Sequence, residues 1–217
     1  MGVFAHTVYV IDFEGSRKTG VLEFGVVTLE AGKVAATRTQ LCAPTGALDA
    51  RESRVHKLTE EMLAGQPPFS AHFDEFKALR QEGFFAAHNA SVERRLLCDV
   101  WPHPGLVPDF EGSTFNDWGP WLDTCALYRK LYPQLPEHAL GALLKRFCLL
   151  PKLETLAALH CPIGRNKAHC ALYDALGAAL LLLRLAEEPL LGGLSPRQLL
   201  SMANPFAGNG DNQPSLL

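Results

Sequence analysis

Two short stretches hold residues whose types and spacing could do chemistry. The first is Val8–Gly15, reading Val-Tyr-Val-Ile-Asp-Phe-Glu-Gly. Side chains alternate along a strand, so Val8, Val10, Asp12 and Glu14 share one face and Tyr9, Ile11 and Phe13 the other. Both faces are apolar until Asp12, which fits a central strand covered on both sides. Two carboxylates side by side at the mouth of such a strand repel each other, and a hard divalent cation with oxygen ligands is the partner that suits them best. Gly15 then lets a backbone or a substrate come close. A strand that simply ends in solvent, with its acids in the loop, explains the same residues equally well.

The second stretch is Ala168–Leu183, where His169 and Asp174 stand ahead of a run, Ala175–Leu183, that is all apolar or glycine. Such a run is too short to span a bilayer. It reads as a helix buried against a sheet, with one acid near its start. Burying an unpaired carboxylate costs several kcal/mol, so Asp174 needs a partner. A helix N-terminus compensates in part, and a metal ion compensates more. Five positions on a helix turn through roughly 140°, so His169 and Asp174 cannot share one helical face. His169 therefore belongs on the loop before the helix, within reach of a water. Gly164 and Arg165-Asn166-Lys167 fit a flexible approach to it. A surface histidine ahead of an ordinary helix-start acid is the plain alternative.

The elements that must position these residues follow from pattern. At 217 residues the chain is long enough for one domain with a real core. A net charge of -3 argues against coating duplex nucleic acid through bulk charge, though not against a small pocket for one strand end. The six cysteines form no Cys-x-x-Cys pair, and His160-Cys161 with His169-Cys170 matches no zinc spacing, which suggests reduced thiols in a cytoplasmic protein. No charged-then-apolar leader opens the chain, so no secretory signal is expected. Val21–Leu29 and Val34–Cys42 read as strands joined at Ala31-Gly32-Lys33, making an antiparallel meander with the first. Thr59 caps a short helix, Phe69–Gln81 is amphipathic at helical spacing, and Phe84–His88 is a short buried strand. Asn89 caps a helix running to Trp101. Pro102–Gly119, with three prolines and three glycines, reads as an exposed loop. Trp121–Asp123 forms a fifth strand, followed by helices over Thr124–Leu131 and Ala139–Leu149. Pro151–Lys167 is mixed in character and reads as mobile. A short helix is expected at Pro196–Met202. Residues 1–188 form the main domain and 189–217 a C-terminal extension, disordered from Asn204 onward.

Three pieces together resemble one family. Asp12-Phe13-Glu14, Ala87-His88-Asn89-Ala90-Ser91-Val92-Glu93 and His169-Cys170-Ala171-Leu172-Tyr173-Asp174 resemble the three motifs of the DEDDh (DnaQ-like) 3'–5' exonucleases, over about residues 6–188. Arg54–Met62 and Leu122-Asp123-Thr124 resemble further segments of that family. The resemblance implies an α/β, RNase H-like fold: a mixed five-stranded sheet, three antiparallel strands then parallel strands, flanked by helices. It implies metal-dependent hydrolysis of phosphodiester bonds at 3' ends of single-stranded DNA or RNA, releasing nucleoside 5'-monophosphates. The implied cofactors are two Mg2+ (or Mn2+) ions held by Asp12, Glu14 and Asp174, with Glu93 acting through water and His169 as general base. Two positions depart from the family pattern. Glu93 stands where the family has Asp, and Gly15-Ser16-Arg17 where it often has Thr-Thr-Gly.

Gly15, Ser16, His88 and Asn89 are the candidate substrate contacts. Trp101, Trp118 and Trp121 are candidates for stacking a base, and Arg17, Lys18, Arg94, Arg95, Arg165 and Lys167 for touching phosphates. A degenerate relative that binds strand ends without cutting them, because of Glu93, is the first alternative. A proofreading or trimming subunit of a polymerase or other nucleic-acid machine is the second. A homodimer is a further candidate assembly, and no membrane partner is expected.

Overall fold

β-Branched and aromatic residues dominate Val8–Ser16 (β1) and Gly20–Glu30 (β2), which pair antiparallel. In the computed structural model, which describes residues 6–109, 112–188, 191, 194 and 196–203, Lys33–Leu41 (β3) closes the meander. The β2–β3 turn places Ala31 (φ 48°) and Gly32 (φ 74°) in the left-handed region, as a two-residue hairpin turn requires. Phe84–Ala87 (β4) runs parallel to β1 and Trp121–Asp123 (β7) parallel to β4, giving the order β3-β2-β1-β4-β7. The sheet is therefore the expected mixed one.

The helices are Ala50–His56 (α1), Glu60–Leu63 (α2), Phe73–Glu82 (α3), Ser91–Val100 (α4), Thr124–Leu131 (α5), Leu140–Arg146 (α6), Leu150–His160 (α7), Ala171–Ala186 (α8) and Pro196–Ala203 (α9). Two of them depart from the sequence reading. α7 occupies most of the stretch that reads as mobile; Pro151 lies in its first turn, where the missing N–H costs nothing. α1 is a helix that the sequence pattern does not signal; Asp49 caps it, accepting from Arg51 N at 2.7 Å. The stretch 102–119 is not simply exposed. It carries the small hairpin Val107–Pro108 (β5) with Thr114–Phe115 (β6), and Trp118 is completely buried. The buried Arg80 fastens it, donating to the carbonyls of Gly119 (2.6 Å) and Pro108 (2.7 Å).

The two faces of β1 separate two cores, as alternation predicts. Val8 and Val10 join Val27, Leu29 and the apolar side of α8, with α5, α6, α7 and α9 behind. Tyr9, Ile11 and Phe13 join Phe69, Phe76, Leu97, Trp101 and Trp118. Leu199 and Ala203 of α9 are buried in the same core as α8, so the main core reaches past residue 188. The expected disorder after Asn204 lies outside the described residues.

Gly25 explains how α8 comes so near the sheet. A Cβ there would lie 2.4 Å from Leu172 N, and Gly25 pairs directly with Asp12. The helix start, with Asp174, is thereby seated beside the carboxylate end of β1.

Candidate active site

β1 ends in a bulge between Glu14 and Gly15. Gly15 has φ 128°, and a Cβ on it would lie 2.2 Å from Gly20 O, so no side chain fits there. Ser16 follows, its N–H donating to Thr19 Oγ1 at 3.0 Å. Asp12 and Glu14 are half-buried on the face that meets α8. From the next strand, Glu93 comes on the first turn of α4 and is 4% exposed. Asn89 does not cap this helix with its side chain. It is held at φ 74° with its N–H donating to Asp123 Oδ1 (3.2 Å), while Ala90 N donates to Asp123 Oδ2 (2.9 Å). Asp123 also caps α5 through Ala126 N at 3.1 Å, so one buried carboxylate fixes the starts of two helices. Asp174 lies in the first turn of α8. His169, exposed and at φ 62°, stands on the loop before α8 and donates its N–H to Asp174 Oδ2 at 2.8 Å.

The structure groups the ligand atoms of Glu14, His169 and Asp174, and places Asp12 and Glu93 close enough to act on these acids electrostatically. Burial, and then the charges of Asp174, Glu93 and Glu14, hold Asp12 well above the usual carboxylate range. Glu14 is pushed up to about 8 by burial, then by Asp174 and Glu23, against a downward pull from Arg165. Burial also pushes Glu93 up to about 8, with Asp123 and Glu14 adding to the rise. Asp174 rises to about 6 through burial, opposed by the His169 N–H and imidazole. Glu93 Oε2 is buried with no hydrogen-bond partner among the described residues. Ligand atoms of Glu14, His169 and Asp174 all lie within 4.8 Å of one another. A buried carboxylate oxygen without a partner, among acids that lift one another's pKa, is a donor set that fits a hard divalent cation. His169 thus stands closer to the donor set than a role at the end of a mobile loop requires.

The candidate substrate contacts fare differently. His88 turns inward, with Nδ1 2.8 Å from Thr124 Oγ1 and Nε2 2.9 Å from the His138 carbonyl. Asn89 is exposed, at the turn between β4 and α4. Trp101, Trp118 and Trp121 are buried in the core and present no free face for a base. Of the cations expected at phosphates, Arg17 is in a bidentate pair with Asp99, Arg94 pairs with Asp117, and Arg165 is buried. His160 Nδ1 meets Thr37 Oγ1 at 3.2 Å, and all six cysteines are free thiols.

Two residues of the site escaped sequence reasoning. Glu23 is directly opposite Glu14 on β2 and is 2% exposed, in a bidentate pair with Arg165. The available signal was a lone carboxylate inside an otherwise apolar strand, a position that demands a partner. Gly25, two residues on, is a glycine in a strand interior, which signals close backbone approach.

The architecture is that of the RNase H-like α/β proteins. Exonuclease X in complex with 5' overhanging duplex DNA superposes with TM-score 0.64 at 24% identity, over 91% of this chain and 99% of that one. E. coli exonuclease I with a dT13 oligonucleotide superposes at TM-score 0.57 and 13% identity, over 84% and 41%. In sequence, a PolC-type DNA polymerase III of Halalkalibacterium halodurans is 28% identical over 168 residues, 77% of this chain. Exodeoxyribonuclease 10 of Escherichia coli is 27% identical over 164 residues, 76% of this chain. The chain spans 10% of the length of the first and 61% of the second. No protein-family model matches the chain. The chain is thus similar in sequence to PolC-type polymerases and exodeoxyribonuclease 10 and in fold to exonucleases X and I, which is consistent with the DnaQ-like resemblance its motifs carry. No helix among the described residues is long and apolar enough to cross a membrane.

Proposed function

We propose that this chain is a metal-dependent 3'–5' exonuclease acting on single-stranded DNA or RNA and releasing nucleoside 5'-monophosphates. The observation that carries the reading is the cluster of Asp12, Glu14, Glu93 and Asp174, acids whose pKa values burial and mutual charge raise, with Glu93 Oε2 buried and unpartnered among the described residues and His169 at its rim. The names of the relatives support the same activity.

Asp12, Glu14 and Asp174 would hold two Mg2+ or Mn2+ ions, and Glu93 would reach them through water. When bound, such ions lower the pKa of an attacking water and offset charge on the phosphate and the leaving oxygen. His169 takes the proton of that water as its oxygen attacks the terminal phosphorus. The P–O3' bond breaks, the leaving 3' oxygen takes a proton from solvent, and the shortened strand keeps a 3'-hydroxyl. The Asp174 carboxylate, through the His169 N–H, keeps the imidazole at the rim. Gly15, Ser16 and Asn89 border the entry for the terminal nucleotide, and the inward bonds of His88 make it a support for this wall. The likeness to PolC-type polymerases fits work beside a polymerase, and the likeness to exodeoxyribonuclease 10 fits a free-standing role. The cytoplasm is the proposed compartment.

Digestion of 5'-labelled single-stranded DNA and RNA, side by side with Mg2+, Mn2+ and EDTA, tests the reading. A ladder shortening from the 3' end with either metal and none with EDTA is expected. Intact strands with both metals, yet retained binding to strand ends, would establish the non-cutting alternative.

A further inference from the structure

Arg165 and Glu23 form a buried ion pair beside the acid cluster that the proposed mechanism does not use. They are 6% and 2% exposed. Arg165 Nε donates to Glu23 Oε1 at 3.1 Å, Nη2 donates to Oε2, and Nη1 donates to the His56 carbonyl at 2.6 Å. Glu23 Oε2 also accepts the Ala171 N–H at 3.0 Å, the first residue of α8. One carboxylate on β2 therefore grips both ends of the span 166–170, through a side chain before it and a backbone amide after it. His169 lies inside that span. The third guanidinium contact ties the same point to the end of α1.

We infer that the Glu23–Arg165 pair is a positioning device that fixes the loop 166–170 and so sets where His169 stands over the acids; this rests on the hydrolytic reading above. The pair is poorly explained as a stabiliser. Desolvating two charges is costly, and apolar residues of similar volume would cover this part of the sheet at least as well. Glu23 also faces Glu14 across the strands, so its carboxylate adds repulsion where the acids already repel. What the pair provides is direction. A guanidinium makes its bonds in a fixed planar fork, which a flexible ammonium cannot reproduce. A general base must be held closely, because a misplacement of about 1 Å can cost about 100-fold in rate.

The test is the double substitution Glu23→Gln/Arg165→Met, which removes both charges and leaves neither orphaned. It is made in the full chain with and without His169→Ala. Alone, it should lower kcat by about 10–100-fold while Mn2+ affinity, read by calorimetric titration, stays within about threefold. In the His169→Ala background it should cost less than about twofold, because its effect runs through the imidazole. Amide exchange over 166–171 should rise while that over 175–182 stays as in the parent. Should the double variant unfold, Arg165→Lys keeps the buried charge without the fork and should show the same pattern more weakly. A kcat equal to the parent's, equal losses in both backgrounds, or unchanged exchange over 166–171 would each overturn the inference. A parent that cuts no 3' end would sink the hydrolytic reading instead, and the exchange and Mn2+ measurements would still decide the pair.

Discussion

Glu14 and Glu23 sit opposite each other on β1 and β2, and the fold treats them in opposite ways. Glu23 receives a guanidinium fork and a backbone amide. Glu14 is surrounded by other acids, and its pKa is pushed up to about 8. The compensated carboxylate behaves as framework. The crowded ones form a candidate site whose mutual repulsion a bound cation would relieve. The same contrast separates Asp123, whose oxygens accept three backbone N–H groups, from Glu93, whose Oε2 accepts none.

Asp12→Asn and Asp174→Asn should break the crowded side most completely. Each is expected to reduce hydrolysis by about 1000-fold or more, with a higher melting temperature in EDTA because one repelling charge is gone. Full activity in either would end the metal reading. His169→Ala should cost about 10²–10⁴-fold in kcat, with Mn2+ binding kept; a calorimetric titration that shows binding lost would make His169 a ligand. Glu93→Ala should cost at least about tenfold, as residues that orient metal ligands do, and Glu93→Asp should keep or raise the rate. A rate in Glu93→Ala equal to the parent's would remove Glu93 from the site.

The raised pKa values also predict a pH dependence of stability. Glu14, Glu93 and Asp174 hold their protons in the metal-free folded chain up to about 8, about 8 and about 6, above the ordinary carboxylate value of the unfolded chain. The folded form therefore binds more protons between about pH 4 and pH 8, and stability falls as pH rises through that window. Melting curves in EDTA should show this fall, and added Mg2+ should raise the melting temperature more at pH 8 than at pH 6. The smallest effect sharpens the comparison from the other side. Arg17→Ala removes the pair with Asp99, whose arginine is 71% exposed, and should cost at most about 1 kcal/mol in chemical denaturation.

Much of the candidate site is legible in the sequence because its signals are local. Asp12 and Glu14 share a face by alternation, His169 and Asp174 straddle a helix start, and Glu93 follows a recognisable His-Asn-Ala. What stayed hidden depends on contacts between distant segments. Arg165 lies 142 residues from Glu23, and in the sequence it is one of several cations near a glycine. The inward turn of His88 depends on Thr124 and His138, which the sheet brings alongside. α7 was obscured because a proline in a first turn looks the same, in isolation, as one that breaks a helix. The tryptophans border an irregular stretch in sequence, yet packing draws all three into the core.

If Asp12, Glu14, Glu93 and Asp174 are crowded together to hold divalent cations, metal binding itself must show it. Calorimetric titration of Mn2+ at pH 7, in buffers of different ionisation enthalpy, tests it most directly. The account predicts saturable binding accompanied by proton release, because Glu14 and Glu93 carry pKa values of about 8 before metal arrives. It also predicts that the release shrinks at pH 9, where those carboxyls are already ionised. The absence of saturable binding, or binding without proton release at pH 7, would contradict it.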